Sequence, residues 1–392
     1  MLKPLKTFFK SELAIGVSLI VATLLAMLVA NSSGYETYRN FFLIEIPLDL
    51  GFIGIKKDLT INGWINDFLM AIFFLLVGLE LKREILVGEL STKRKFVLPL
   101  IAAIGGVVFP IIIFILFNFN HPENLRGFPI PAATDIAFAY GIISLFGKSF
   151  SNSLKVFLVA LAIIDDLIAI LIITFFYSHD LNLSYIALAI VALFGLGLLN
   201  FFKSYKIHLY LLLGLFLWLM ILKSGIHPTL TGVLLALFIP LQINNISPLS
   251  RLAHKISPTV NFLILPIFAF ANAGINLKNF SLTSLFEPLV LGISLGLFFG
   301  KQIGITLFSL FAVKFNFANL PRGTNWLEFY AGSIVAGVGF TMSLFIGSLA
   351  FNDNLCSFYQ VKIGVIIGSL LSAIFASIIC LSLKKRKKYF TT

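Results

Sequence analysis

The chain has 392 residues, 59% hydrophobic and 12% charged, with a formal net charge of +12 and a mean hydropathy of +1.00. A soluble globular domain is nearer half apolar and a quarter charged, so this composition leaves too little polar surface to coat a soluble body. The basic excess sits in loops and at the tail, where it orients a membrane protein and argues against a nucleic-acid surface.

The apolar runs are roughly 20 residues long, the length that crosses about 30 Å of hydrocarbon as a helix. A membrane barrel needs shorter, alternating segments. Two distant cysteines, Cys356 and Cys380, and five scattered histidines provide no disulfide framework and no zinc or haem spacing. Bounded by helix breakers, the runs predict an all-α polytopic membrane protein with twelve spans, at 12–30, 64–81, 96–117, 129–147, 153–177, 184–202, 207–222, 226–240, 259–277, 288–313, 326–350 and 359–383. Two of them, 129–147 and 226–240, are short for a crossing.

The N-terminus is basic and then apolar, in the manner of a secretory signal, but the run from Leu13 to Ala30 is longer than a usual signal core and reads as a retained first helix. The loop 42–60 (FLIEIPLDLGFIGIKKDLT) carries two β-prone stretches around Gly51 to Gly54 and predicts a small hairpin. Two strands are marginal alone in water, so the hairpin needs a partner, most simply a second copy of the chain. Span 64–81 ends in VGLELKREIL, where Glu80, Lys82, Arg83 and Glu84 read equally as a solvated face with helix ion pairs or as a functional cluster.

Ionisable side chains inside a span cost at least about 2.5–3.5 kcal/mol near the centre and mark function. Asp135 lies in FPIPAATDIAFAYGIISLFG, after Pro129 and Pro131 and before Gly141. Proline removes an amide donor and disfavours helix before it, and unwound backbone at membrane depth is tolerated only against protein or a cavity. Asp135 is placed to offset the positive ends of exposed helix N-termini.

Asp165 and Asp166 lie in LVALAIIDDLIAILIITFFY, far from either end of that run. Neighbouring helix residues point about 100° apart, so both acids can border one polar cavity. Burial and mutual repulsion disfavour two ionised carboxylates, which makes the pair a proton acceptor near neutral pH. The same oxygens suit a hard cation such as sodium. Protons and a cation competing for one site is the chemistry of exchange.

His227 and Pro228 (SGIHPTLTG) open the short eighth run, and Asn272 (FAFANAGINL) is a polar residue in an apolar one, where packing is its simplest use. Lys301, in LGISLGLFFGKQIGITLF between Gly300 and Gln302, falls near mid-depth, where it meets a buried carboxylate or the negative ends of broken helices in preference to snorkelling to an interface. The segment AGSIVAGVGFTMSLFIGSLAF has Gly332, Gly337, Gly339 and Gly347, with Thr341 and Ser343 able to cap freed backbone groups. It reads either as close helix packing through small residues or as a second broken helix facing the one at Asp135, a pairing typical of transporter sites. With the N-terminus inside, 21 loop and tail lysines and arginines fall on the inner side and 7 on the outer, which puts both termini in the cytoplasm.

The stretches LLVGLELKREI, PAATDIAFAYGIISL, LAIIDDLIAILI, LKSGIHPTLTG, ILPIFAFANAGI and GVGFTMSLFIGSLAF, in this order and across nearly the whole chain, resemble the NhaA-type bacterial sodium/proton antiporters. Such antiporters are a known case of inverted repeats and interrupted helices. The resemblance implies one transmembrane antiporter domain over 1–392, with inverted repeats near 96–177 and 288–383, the hairpin at 42–60 as the first periplasmic loop, and crossed broken helices at Thr134-Asp135 and from Gly337 through Gly339 to Phe340. It implies that Asp166 is the principal sodium ligand and Asp165 its partner, salt-bridged to Lys301 without sodium. Thr134 takes a ligand position and Asp135 balances charge at the crossing. Glu80, Arg83, Glu84, His227 and His254 become candidates for pH regulation. One departure touches that regulation: in SRLAHKISP, Ala253 stands where the family carries an acid before His254.

The implied protein is an electrogenic transporter of the bacterial inner membrane, not an enzyme. It would export sodium or lithium against protons by alternating access, need no cofactor, and form a homodimer through the first periplasmic loop. The residues alone leave open a passive cation channel, a sodium-coupled symporter, or an intramembrane aspartyl protease using Asp135 and Asp165. The protease leaves Asp166 and Lys301 without a role.

Overall fold

The computed structural model describes residues 12–51, 55–88, 91–145, 150–178, 180–244, 246–279, 281–352 and 354–390. Among the sequence expectations, the basic residues ahead of Glu12, Lys148 and the tip of the hairpin at 52–54 lie outside them. The described chain is mostly helical, as the apolar runs demand. Helix α1 is Glu12–Ala30, followed by the short α2, Tyr35–Leu43, then strands β1, Glu45–Leu50, and β2, Ile55–Thr60. The strands pair antiparallel, Glu45 opposite Thr60 through to Leu50 opposite Ile55. Support for this small sheet comes partly from its own chain. The Trp64 indole donates to the Ile46 carbonyl at 3.0 Å, and the Lys57 ammonium donates to the Leu222 carbonyl at 3.1 Å.

The remaining long helices are α3, Ile61–Leu86; α4, Lys93–Asn118; α5, Ile136–Leu145; α6, Asn152–Phe176; α7, Leu183–Phe201; α8, Ile207–Ser224; α9, Leu230–Phe238; α10, Pro248–Ala273; α11, Pro288–Lys314; α12, Trp326–Val335; α13, Phe340–Ala350; and α14, Leu355–Phe390. Nine of the described helices are long and apolar enough to cross a membrane. Two further pairs, Pro122–Ala132 with α5 and α12 with α13, are each bent by 43° at a break. Counting each bent pair once gives eleven crossings by length and composition, where the sequence predicts twelve.

The difference is α9. Its nine residues rise only about 14 Å at 1.5 Å each, about half of a hydrocarbon core. Pro228 and Pro240 bracket it: helix starts only at Leu230, and Ile239 is already extended, as the residue before a proline tends to be. Lys82 on α3 donates to the carbonyls of Leu237 and Ile239, both at 2.6 Å, satisfying the C-terminal end of this half-length helix.

The helices group into two compact units. One contains α1 to Met27, α4, the first broken pair, α6 to Ala169, and α11 to α14. The other contains the hairpin, α2, α3, the end of α6, α7 to α9, and α10 to Ala271. Burial separates helix roles: 67% of the spanning stretch is buried in α6 and in α11, against 17% in α7. Charge-bearing α6 and α11 are thus interior helices, while α7 keeps an apolar exterior suited to lipid.

In the first unit α11 packs most extensively on α4. They meet backbone to backbone at Gly105 and Gly304, where a Cβ on either residue would collide with the other's carbonyl oxygen. Gly304→Val should therefore force α4 and α11 apart and cost about 3 kcal/mol, the upper end for an overpacked core. Gly197→Ala on α7, whose added Cβ would make an ordinary 3.6 Å contact with Phe238, should not lower stability and by helix propensity should raise it by up to about 1 kcal/mol. Thermal melting of the detergent-solubilised variants checks both.

Candidate functional site

The site lies within the first unit, where two interrupted helices meet α6 and α11. In the first interruption Pro129 and Pro131 limit the chain to short 3-10 turns, Pro122–Gly127 and Ile130–Ala132. Residues 133–135 are non-helical, and α5 starts at Ile136. In the second, α12 stops at Val335 and α13 starts at Phe340. Gly337 and Gly339 permit the close approach between them. A Cβ on Gly337 would lie 2.6 Å from the Leu297 carbonyl and 2.6 Å from Ser372 Oγ, and one on Gly339 would lie 2.9 Å from the Ala133 carbonyl.

Each broken strand satisfies the other's backbone, as buried amides and carbonyls require. The Asp135 amide donates to the Val338 carbonyl at 2.7 Å, and Ser343 Oγ donates to the Ile130 carbonyl at 2.8 Å. Asp135, 1% exposed, divides its carboxylate between two helix starts. Oδ1 accepts from the Phe138 amide of α5 at 2.9 Å. Oδ2 accepts from the Thr341 amide of α13 at 2.9 Å and from the Thr341 hydroxyl at 2.5 Å. One carboxylate therefore caps two half-helices whose N-termini both carry partial positive charge.

Asp165 and Asp166 sit mid-way along α6, 1% and 0% exposed. Asp165 Oδ2 accepts from Lys301 Nζ at 2.5 Å and lies 2.8 Å from Thr134 Oγ1. The Thr134 hydroxyl is also 2.9 Å from the Ala336 carbonyl, and its single proton serves one acceptor at a time. Asp165 Oδ1 and both oxygens of Asp166 are buried without a hydrogen-bond partner. Asp165 and Asp135 both act electrostatically on Asp166.

An isolated carboxylate charge in such surroundings is unfavourable by several kcal/mol. A proton or a small cation on Asp166 removes that penalty, and the adjacent unpartnered oxygen of Asp165 adds a further donor atom. The described residues contain no group of three or more histidine, cysteine or acidic side chains arranged to hold a metal. A cation here would therefore draw partly on hydroxyl or carbonyl oxygens, which suits sodium and not a soft transition metal.

The five candidates for pH regulation stand in the second unit. Glu80, Arg83 and Glu84 lie together on α3, with Arg83 Nη2 3.2 Å from Glu84 Oε1 in a partly exposed pair. His227 stands in the turn ahead of α9, and His254 is exposed on α10. Ala253 is buried with Leu249 and Leu252, on the inner face of α10's first turns, a position that suits alanine and penalises an unpaired acid.

Sequence reasoning did not single out the Lys82 contacts with α9, nor Gln302, which is 3% exposed and bonded to Tyr330 OH at 2.6 Å. Burial of a glutamine amid apolar residues was the available signal for the second. Nothing in the spacing of Lys82 signalled the first, because its partners are backbone carbonyls about 155 residues away.

Comparison with known proteins adds an independent line. A model of the family described as Na+/H+ antiporter 1 matches residues 6–380. The chain is 50% identical over 386 residues to the Na(+)/H(+) antiporter NhaA of Pelagibacter ubique, covering 98% of both proteins. It is 48% identical over 373 residues to the NhaA of Psychrobacter cryohalolentis, covering 94% of this chain and 92% of that one. It is 47% identical over 378 residues to the NhaA of Salmonella arizonae, covering 95% and 96%.

Replacing the double cap tests the geometry of the crossing. Asp135→Ala should lose the caps of α5 and α13 together and destabilise the protein by about 2–4 kcal/mol. Asp135→Asn keeps one acceptor oxygen but turns a donor NH2 toward the other helix start, so it should cost at least half as much, measured as the loss in melting temperature.

Proposed function

The chain belongs to the Na+/H+ antiporter 1 family, a multi-pass membrane transporter and not an enzyme, and on that premise we propose that Asp165 and Asp166 are the exchange site of an electrogenic antiporter. Inward-facing, the two acids release protons and take sodium, or lithium, from the cytoplasm. Outward-facing, protons displace the cation. Asp166 is the principal ligand, and the observation that carries this is its pair of buried oxygens without any hydrogen-bond partner. Asp165 exchanges its partner, Lys301 in one state and the cation in the other, since ammonium and cation compete for the same carboxylate. Thr134 supplies a hydroxyl that can turn between Asp165 and the Ala336 carbonyl. Asp135 balances the two half-helix ends and keeps the crossing intact.

By family analogy two protons move in for each sodium moved out, so one net positive charge enters per cycle. A potential of 100 mV, inside negative, then drives each cycle by about 2.3 kcal/mol. We place the protein in the bacterial inner membrane with both termini in the cytoplasm, on the charge bias of its loops. Twelve spans follow if α9 and the turn before it line a cavity or protein, where a short helix is tolerated. The two inverted repeats span 96–177 and 288–383. The hairpin at 42–60 joins a homodimer, and Glu80, Arg83, Glu84, His227 and His254 adjust the pH response.

The test is sodium-driven dequenching of a pH-sensitive dye in vesicles. Wild type exchanges, and Asp166→Asn should abolish exchange at every pH. Because protons compete for the site, the apparent KM for sodium should rise as pH falls. Exchange that survives Asp166→Asn, or a KM independent of pH, overturns the assignment.

A further inference from the structure

Gln302 follows Lys301 on α11, at the end of a π-helical turn, Gly296–Gly300. A π turn shifts the backbone ladder from its usual partners and often marks functional sites. The Gln302 side chain is held at both ends. Nε2 donates to the Phe298 carbonyl of that turn at 2.6 Å, and Oε1 accepts from Tyr330 OH on α12 at 2.6 Å. A second tie joins the same helices further along, where Thr306 Oγ1 and Ser333 Oγ are 3.1 Å apart.

These contacts trace a ring with one switchable link. From Lys301 the path runs to Asp165 and to Thr134, whose one proton serves either Asp165 or the carbonyl of Ala336, then back along α12 to Tyr330, and through Gln302 to Lys301 again. The position of Lys301 against Asp165 is thus set twice, once through the exchange site and once through the Gln302–Tyr330 bond.

We propose that Gln302 and Tyr330 are positioning residues that hold Lys301 against Asp165 and so set how strongly its ammonium competes with sodium. The proposal rests on the reading of Asp165 and Asp166 as the exchange site. Removing the bond leaves the chemistry of Lys301 intact but loosens the turn that carries it. Sodium then meets a weaker competitor, and its apparent affinity rises.

The experiment uses the full chain in proteoliposomes, with monodisperse gel filtration as the criterion of folding. Tyr330→Phe and Gln302→Leu should each lower the KM for sodium about 3-fold, the size expected of one neutral hydrogen bond, without raising the maximal rate. The double variant should lower it no further than Gln302→Leu alone, because that change already removes the bond that Tyr330→Phe removes. Ser333→Ala, which removes the second tie and a bond to the Tyr330 backbone carbonyl but leaves the Tyr330 hydroxyl on Gln302, should leave KM unchanged. If Gln302→Leu does not assemble, Tyr330→Phe decides alone. A KM that is unchanged or raised in folded Tyr330→Phe, additive effects in the double variant, or an equal shift in Ser333→Ala overturns the proposal. Asp166→Asn, measured alongside, separates the layers. Exchange that persists in it sinks the parent reading, whereas exchange lost there with an unmoved KM in Tyr330→Phe sinks only this inference.

Discussion

The structure depends on one constraint: two helices are interrupted in the buried interior of the protein, where the freed backbone groups must find partners within the chain. In hydrocarbon each unsatisfied amide or carbonyl costs several kcal/mol, so interrupted chains persist only by serving each other. Asp135, Thr341, Ser343 and the Val338 carbonyl meet that demand. Once the crossing exists, its ends concentrate partial charge beside α6, and an otherwise forbidden pair of acids becomes tolerable there. Lys301 neutralises Asp165. Asp166 has no ion-pair or hydrogen-bond partner of its own among the described residues, which leaves its two buried oxygens the least satisfied at the crossing.

Much of this was legible in the sequence because the membrane amplifies the signal of a misplaced residue. A charge in an apolar run of 20 is conspicuous, and Asp135, Asp165, Asp166 and Lys301 all prove to be buried. Pro129 and Pro131 marked the first interruption through their missing amides. The second was harder to read, since Gly332, Gly337, Gly339 and Gly347 suit close packing as well as a break. The bend between α12 and α13 decides for the break, at Gly337 and Gly339, where the Leu297 carbonyl and the Ala133 carbonyl respectively come too near for a Cβ.

What remained illegible was mostly long-range and backbone-directed. The segment 226–240 looked like a weak crossing because composition does not report length, and the prolines at either end confine α9 to nine residues. Lys82 belonged to a charged cluster by sequence, yet it turns to the carbonyls of α9. The hairpin's need for support was clear from its size, but Trp64 and Lys57 as anchors required the fold. Gln302 was hidden by its neighbour, whose charge drew attention away from an amide doing quieter work.

The double cap has a mechanical consequence. To separate α5 from α13, Asp135 must abandon hydrogen bonds to one helix start, each worth about 1.5–3 kcal/mol when an ionised group takes part. That is comparable to the work that 100 mV does on one elementary charge, about 2.3 kcal/mol. A force of that size gains little by tearing this joint open. The two half-helices are therefore riveted at one carboxylate, and any movement of α5 against α13 carries that cost.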